Sequence, residues 1–278
     1  MVLIKKLASL GYSLRVLGSI NELADRGIYF SNQLSQVVAD AEVVIAPMSS
    51  TNEQGFLKAT YTTERVKLDE DFFALLKPGT LFLIGIARPT VQKALTKYNI
   101  KYVQLALLDD LAILNAIPTA EGAIKIAIEE TDYTIFGSKT LVLGLGKVGL
   151  TLAWRLKMLG ADSYAVTRER ASIARGIDLG IKMLTYQELT ACLPEMNILY
   201  NTVPAMMIKR KELELLAKDS LIIDLASAPG GTDFAAAEQL GIKAILALGL
   251  PGKVAPQTAG KILADLIPDL IKEKLAMD

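Results

Sequence analysis

The sequence predicts an α/β fold built from two Rossmann-like domains, each with a parallel sheet. Three observations carry that reading. Short, near-continuous apolar runs such as Leu81-Phe82-Leu83-Ile84 and Leu141-Val142-Leu143 alternate with helical patterns along the chain, as strands do when helices cover both faces of their sheet. The second of these runs ends in Gly144-Leu145-Gly146-Lys147-Val148-Gly149, and residues 150–159 then read as a helix. A G-x-G-x-x-G pattern carries little weight by itself, but strand, tight turn and helix form the context in which it binds a dinucleotide. Third, the 278 residues contain two such alternating blocks, enough chain for two modest cores. The blocks divide at 1–117 and 118–257, with a terminal helix over 258–278 completing the first domain.

In the first block, residues 2–10 read as a helix, 14–17 as a strand and Gly18-Ser19 as its loop. Residues 42–46 are a second strand, ending at Pro47-Met48-Ser49-Ser50-Thr51. The polar stretch 49–68 is a long loop, and such a loop in a compact protein is either functional or mobile. A short helix over 72–76 leads to the turn Lys77-Pro78-Gly79, and a strand (81–86), a helix (90–97) and a strand (102–107) follow. The block opens on a helix, whereas a doubly wound domain usually opens on a strand.

Pro118-Thr119 starts a helix rich in Ala and Ile that runs to 130 and links the two domains. Thr119 is placed as its N-cap, with Pro118 fixing the entry of the chain. Strands then fit 140–144, 163–167, 181–184, 197–202, 220–226 and 243–248, the six of a mononucleotide-binding pair. The helix over 258–278 is expected to be interrupted at Pro268.

Composition removes several function classes. Lysine plus arginine and aspartate plus glutamate stand at 30 each, a balance that argues against wrapping nucleic acid. No run of 18 apolar residues free of charge appears, so no membrane span is expected. The N-terminus has no long apolar segment with a small-residue cleavage site, which points to a cytoplasmic protein. One cysteine, Cys192, excludes an internal disulfide. Histidine is absent, which excludes a histidine triad, a histidine proton relay and a His-rich zinc site; no metal site is expected. Acid–base chemistry falls to Asp, Glu, Lys, Tyr, Cys or water.

The chemistry-bearing positions follow the strands. Gly144 allows the tight turn, Gly146 lets the backbone of Leu145, Lys147 and Val148 approach a pyrophosphate, and Gly149 lets helix and strand lie close. The alternative is a sharp, unliganded βα turn. Where NAD enzymes carry an acid for the ribose hydroxyls, this chain has Thr167-Arg168-Glu169-Arg170. Thr167 with the Arg168 and Arg170 guanidiniums favours the 2′-phosphate of NADP, although Glu169 leaves NAD open. Loops beyond the later strands should border the ligand: Asn201, Thr202, Val203 and Pro204; Asp224 and Ala226; Leu250 and Pro251. The turn at Pro229-Gly230-Gly231 suits a carboxylate or the nicotinamide amide, and Lys253 is an anion-binding candidate. The other wall of a cleft is expected from Ser49, Ser50, Thr51, Arg88 and Asn115. Asp109 and Asp110 precede the apolar helix as either a general base or plain capping charges, and Glu121 lies in its first turn.

Several segments together are identifiable as a family. They are Asp109 to Gly122, Asp132 to Ser138, the glycine turn, Asp224 to Phe234, and Gly249-Leu250-Pro251-Gly252 with Ala255-Pro256. They resemble the A subunits of bacterial dipicolinate synthase, nearly throughout the chain from about residue 12. The P-T-x-E-G and D-L-A-S-x-P-G-G-T-D-F segments are far more specific than the glycine pattern. The resemblance implies two domains arranged as in formate and glycerate dehydrogenases, with a cleft between them. It implies oxidation of a dihydrodipicolinate-type product of the lysine pathway to pyridine-2,6-dicarboxylate, with NADP accepting the hydride. It further implies action in the mother cell of sporulating bacteria and a flavoprotein-like partner (the B subunit of the synthase); a homo-oligomer is expected as well. The dianionic substrate would then be held by N–H groups near Gly230, Gly231 and Gly252, by hydroxyls at 49–51 and at Thr119, and by Lys253 or Arg88, with Asp110 as proton acceptor. Relatives usually begin with a strand and a glycine-rich turn that this chain lacks. Two rival readings are another NADP-dependent two-domain dehydrogenase and a non-catalytic NADP-binding regulatory subunit. Such dehydrogenases commonly use histidine, which counts against the first.

Overall fold

The computed structural model describes all residues except 21–22, 24–26, 59–61, 228–229 and 277–278. The first elements are α1 (Val2–Ser9), β1 (Arg15–Leu17), β2 (Tyr29–Ser31), α2 (Leu34–Val38), β3 (Val43–Ile45), α3 (Glu70–Ala74), β4 (Leu81–Ile84), α4 (Pro89–Lys97) and β5 (Lys101–Gln104). Then come α5 (Asp109–Glu130), β6 (Lys139–Leu143), α6 (Lys147–Met158), β7 (Asp162–Val166), α7 (Arg170–Asp178), β8 (Lys182–Leu184) and α8 (Tyr186–Cys192). The last are β9 (Ile198–Asn201), α9 (Arg210–Leu213), β10 (Leu221–Asp224), α10 (Phe234–Leu240), β11 (Lys243–Leu246), α11 (Leu250–Val254) and α12 (Pro256–Ala276). The chain forms two compact units, Met1–Ala112 with Gln257–Asp278, and Ile113–Pro256.

In the first unit β3, β4 and β5 form a parallel sheet in that order, with Val44 opposite Phe82 and Phe82 opposite Tyr102. All four residues of β4 are buried, as expected of a central parallel strand. Its period of two splits them between faces. Phe82 and Ile84 pack with Phe72 and Phe73 of α3 and Val91 and Leu95 of α4, the three Phe rings meeting edge to face at 5.1–5.8 Å. Leu81 and Leu83 pack with Leu7 of α1 and Ile262, Ile267 and Ile271 of α12. The terminal helix therefore covers one face of this sheet. β1 and β2 pair in parallel as a separate two-stranded sheet. The sequence pattern passes over β2, whose three residues are too few to show a period.

Three elements differ from expectation. The ladder expected to run to 107 ends at Gln104, and residues 105–107 close into a 3-10 turn. Its partner β4 has ended at Ile84, so nothing remains to pair with it. The helix expected from 118–119 is one helix from Asp109 to Glu130, with Pro118 inside it. Thr119 is thus no N-cap: its hydroxyl donates to the Asn115 carbonyl, 2.7 Å away within the helix. Glu121 likewise sits mid-helix and exposed, outside the first turn. An internal proline costs about 3 kcal/mol, which burial of Leu111, Ala116, Ala120, Ala123 and Ala127 offsets. Pro268 similarly leaves α12 unbroken and is itself buried. Among the described residues α5 is the one helix long and apolar enough to cross a membrane by length and composition. Its alanine stripe instead packs into the second unit's core.

The second unit holds all six expected strands in one parallel sheet, ordered β11-β10-β9-β6-β7-β8. The order reverses between β6 and β9, the crevice position where doubly wound sheets bind ligands. On one face Val142, Tyr200 and Ile223 pack against Ala120, Ala123 and Ala127 of α5 and Leu152, Ala153 and Leu156 of α6. On the other, Leu141, Leu143, Leu199 and Ile222 pack against Leu189 of α8 and Ala236 and Ala237 of α10.

Tyr200 is fully buried at the centre of this sheet, and its hydroxyl has no hydrogen-bond partner among the described residues. Burial pushes its ionisation well above the ordinary phenol range. A buried unpaired hydroxyl costs about 1–3 kcal/mol of desolvation, so Tyr200→Phe should leave stability unchanged or raise it by about 1 kcal/mol. Denaturant unfolding of the two proteins measures this, and a loss of similar size would show that the hydroxyl is bonded.

Candidate functional site

The turn between β6 and α6 is set by three glycines with different physical demands. Gly144 has φ +86°, where a side chain is strained, and a Cβ there would also press on Thr202 Oγ1 and Val203 Cγ2, each 2.7 Å away. A Cβ on Gly149 would collide with the Gly144 carbonyl oxygen. A Cβ on Gly146 would meet nothing within 4 Å. The middle glycine therefore faces open space beside the start of α6, which has no side-chain cap. A helix N-terminus with room before it is suited to phosphate. These residues fit a pyrophosphate.

Thr202 ties the turn to the neighbouring strand. Its backbone N–H donates to Leu143 O at 2.9 Å, and its hydroxyl lies 2.9 and 3.2 Å from the carbonyls of Leu143 and Gly144. On the other side Gly144 N–H donates to Val166 O at 2.8 Å, which places Thr167 and Arg168 immediately beyond the turn. The Arg168 guanidinium lies 5.1 Å from the centroid of the Tyr186 ring, and Ser172 donates its hydroxyl to the Glu169 carboxylate.

Beyond β9 and β10 the loops are joined by a buried carboxylate. Asp224 and Asn201 are fully buried and Thr232 is nearly so. One Asp224 oxygen accepts from Asn201 Nδ2 at 2.9 Å and Ala226 N–H at 3.0 Å. The other accepts from Gly231 N–H at 2.7 Å and Thr232 Oγ1 at 2.8 Å. Asn201 also donates to Val203 O and accepts from Val203 N–H. Four donors match the accepting capacity of a carboxylate, which allows it to be buried without a cation.

This network corrects several expectations. Gly230 and Gly231 do not offer free donors to a substrate carboxylate. Gly230 N–H donates to Ser227 O at 2.9 Å and Gly231 N–H to Asp224. Pro229 of the same turn lies outside the described residues. Asp224, Asn201 and Ala226 hold the loops together, with their polar groups occupied by protein partners. Leu250 is a core residue, packed with Val254 against Gly122 of α5. Ser172 and Tyr186 were not singled out from the sequence: Ser172 acts through a local bond to Glu169 three residues earlier, and Tyr186 meets Arg168 from a separate helix, which no spacing along the chain marks.

Pro204 is accessible in the loop beyond β9, and Pro251, Gly252 and Lys253, expected in a loop, lie at least partly accessible on the short helix α11. In the first unit, Ser49, Ser50 and Thr51 follow β3, and Arg88 follows β4 at the start of α4. Ser50 has φ +56°, rare for a residue with a side chain. Its hydroxyl accepts from Ile86 N–H at 2.6 Å, and Arg88 Nε donates to Thr51 O at 3.2 Å. Ser49 donates to Lys58 O, and the Thr51 hydroxyl is buried without a partner among the described residues. Asp110 is exposed in the first turn of α5, accepting from Leu111 N–H at 2.7 Å. Asn115 is half-buried further along the same helix.

Known proteins share this fold. Residues 1–106 match the N-terminal domain of the dipicolinate synthase A subunit, and residues 119–247 match the NAD binding domain of D-isomer specific 2-hydroxyacid dehydrogenases. The dipicolinate synthase A subunit of Bacillus subtilis (strain 168) is 40% identical over 230 residues, 83% of this chain and 77% of that protein. The chain belongs to the family of dipicolinate synthase A subunits. The crystal structure of the Bacillus halodurans member superposes with a TM-score of 0.90 at 36% identity, covering 97% of this chain and 92% of its own. D-Lactate dehydrogenase from Escherichia coli shares the fold, with a TM-score of 0.66 at 14% identity over 99% of this chain and 93% of its own. Within the family, then, the second unit is a dehydrogenase-type domain for a nicotinamide dinucleotide.

The glycines separate folding from binding. Gly149→Ala should cost more than about 3 kcal/mol, because overpacking here meets backbone. Gly146→Ala should fold normally and lose affinity for the dinucleotide; thermal unfolding and nucleotide titration of both variants check this. Asp224→Ala strands four buried donors and should lose on the order of 3 kcal/mol, read by denaturant unfolding.

Proposed function

We propose that this chain is the dehydrogenase subunit of a dipicolinate synthase. It would oxidise a dihydrodipicolinate-type dicarboxylate of the lysine pathway to pyridine-2,6-dicarboxylate, with NADP as acceptor. The observation that carries this reading is the 40% identity to a relative named as the A subunit of dipicolinate synthase. In the reaction the substrate ring loses a hydride from one carbon and a proton from its neighbour or the ring nitrogen, and becomes aromatic. The turn at 144–149 would hold a nicotinamide dinucleotide, whose oxidised ring would supply the hydride acceptor. Aromatisation supplies driving force, so orientation outweighs the need for a strong base.

The chain's own residues divide this work. The backbone of residues 144–149 holds the pyrophosphate, and Thr167, Arg168 and Arg170 favour the 2′-phosphate of NADP over the bare ribose of NAD. Thr202, Val203 and Pro204, and separately Pro251, would border the cofactor. With the donors at 230–231 occupied, the exposed Lys253 is the cation that the second unit offers to a substrate carboxylate. Asp110 takes the proton, a role that histidine cannot fill in a chain without one. The lettered designation of the relatives supports partnership with a second polypeptide, which we take to be flavoprotein-like, and we place the reaction in the mother-cell cytoplasm during sporulation.

Absorbance at 340 nm with a fresh dihydrodipicolinate mixture and NADP tests the reading, with and without the second polypeptide. NADPH should form, and Asp110→Asn should lower kcat by about 100-fold while leaving NADP affinity unchanged. No reduction under either condition would instead favour a nucleotide-binding regulatory role. Unchanged turnover in Asp110→Asn would remove that residue from the mechanism.

A further inference from the structure

We propose that Ser172, Glu169 and Tyr186 decide the choice of dinucleotide by shaping a phosphate subsite around Arg168. The inference deepens the NADP reading and rests on it. The chain leaves β7 through Thr167 and Arg168, next to the glycine turn, because Gly144 N–H bonds to the last residue of β7. Two guanidiniums follow, Arg168 and Arg170, and neither is paired with a carboxylate among the described residues. Two unpaired cations at one strand end form an anion-binding surface.

Tyr186 gives the first of them a direction. The Arg168 guanidinium lies 5.1 Å from the centroid of the Tyr186 ring, within cation–π reach, an attraction that leaves its N–H donors able to meet an anion. The ring is held in turn, since Tyr186 is the first residue of α8 and that helix begins with a capping box. Thr185 Oγ1 accepts from Glu188 N–H at 3.3 Å, and Glu188 accepts from Thr185 N–H at 2.7 Å. The platform under Arg168 is therefore a capped helix start.

Glu169 is the feature that opposes phosphate. It lies between the two arginines in sequence, and its carboxylate is the chemistry that recognises a ribose 2′-hydroxyl and repels a 2′-phosphate. In the structure that carboxylate accepts the hydroxyl of Ser172, three residues on. Ser172 is 3% exposed, so its side chain is anchored in the protein and holds Glu169 on the first turn of α7. The serine removes the carboxylate from competition, and the arginines define the subsite. Without the serine, the same Glu169 is free to turn towards the ribose and favour NAD.

Fluorescence titration of the purified full chain with NADPH and with NADH tests this, with thermal unfolding of each nucleotide-free variant as a check on folding. The wild type should bind NADPH more tightly. Ser172→Ala should weaken NADPH about tenfold and leave NADH within about twofold. Glu169→Gln added to Ser172→Ala should restore NADPH affinity, since it removes the charge that the serine restrained. Tyr186→Leu should weaken NADPH with NADH unchanged. If the NADPH:NADH ratio is the same in wild type, Ser172→Ala and Tyr186→Leu, the inference is overturned while a wild-type preference for NADPH leaves the NADP reading standing. Equal losses for both nucleotides would overturn it as well. A wild type that prefers NADH overturns both.

Discussion

Helix α6 lies so close to the end of β6 that the Gly149 backbone rests against the Gly144 carbonyl, and the second unit is arranged around that approach. The left-handed turn at Gly144 reverses the chain, and the absence of a Cβ at Gly149 lets the helix start directly above the strand end. Thr202 extends the contact to β9 through the carbonyls of Leu143 and Gly144. The place where strand order reverses is thus held by backbone hydrogen bonds and one hydroxyl. Gly146 has no such contact, and its freedom is what leaves room for phosphate.

A buried carboxylate extends this order to the loops. Asp224 is surrounded by neutral donors, two from backbone and two from side chains. Each charge-assisted bond is stronger than a neutral one, and their convergence fixes the relation between the segments after β9 and β10. The cost falls on recognition. A loop rich in turn residues normally offers N–H groups to a ligand, but here the fold uses those at 230 and 231 for itself.

The first unit shows the same economy in another form. At the end of its sheet Gly85 allows close approach of the Met48 carbonyl, and Ser50 adopts a left-handed backbone that costs on the order of 1 kcal/mol. The hydroxyl of Ser50 holds Ile86 N–H in return. Strained backbone of this kind persists where surrounding structure over-determines it, and it fixes the 49–51 segment next to Arg88.

Much of the architecture was legible in the residues. Apolar runs and the glycine turn announce the central strands β6, β9 and β10, because burial on both faces demands apolar residues at nearly every position, whereas β7, β8 and β11 carry polar or exposed residues and read more weakly. Helix boundaries were less legible: Pro118 and Pro268 read locally as a start and a break, yet packing of the alanine and isoleucine faces around them outweighs one lost hydrogen bond each. The three-residue β2 left no period to detect. At the site, the order of residues was enough to place the glycine turn between a strand and a helix and the two arginines after the next strand, since both depend on neighbours in the chain. Which polar groups remain free was settled by folding. Asp224 meets Thr232, and Arg168 meets Tyr186, through contacts made between separate elements, and no spacing along the chain encodes that a donor has already found its acceptor.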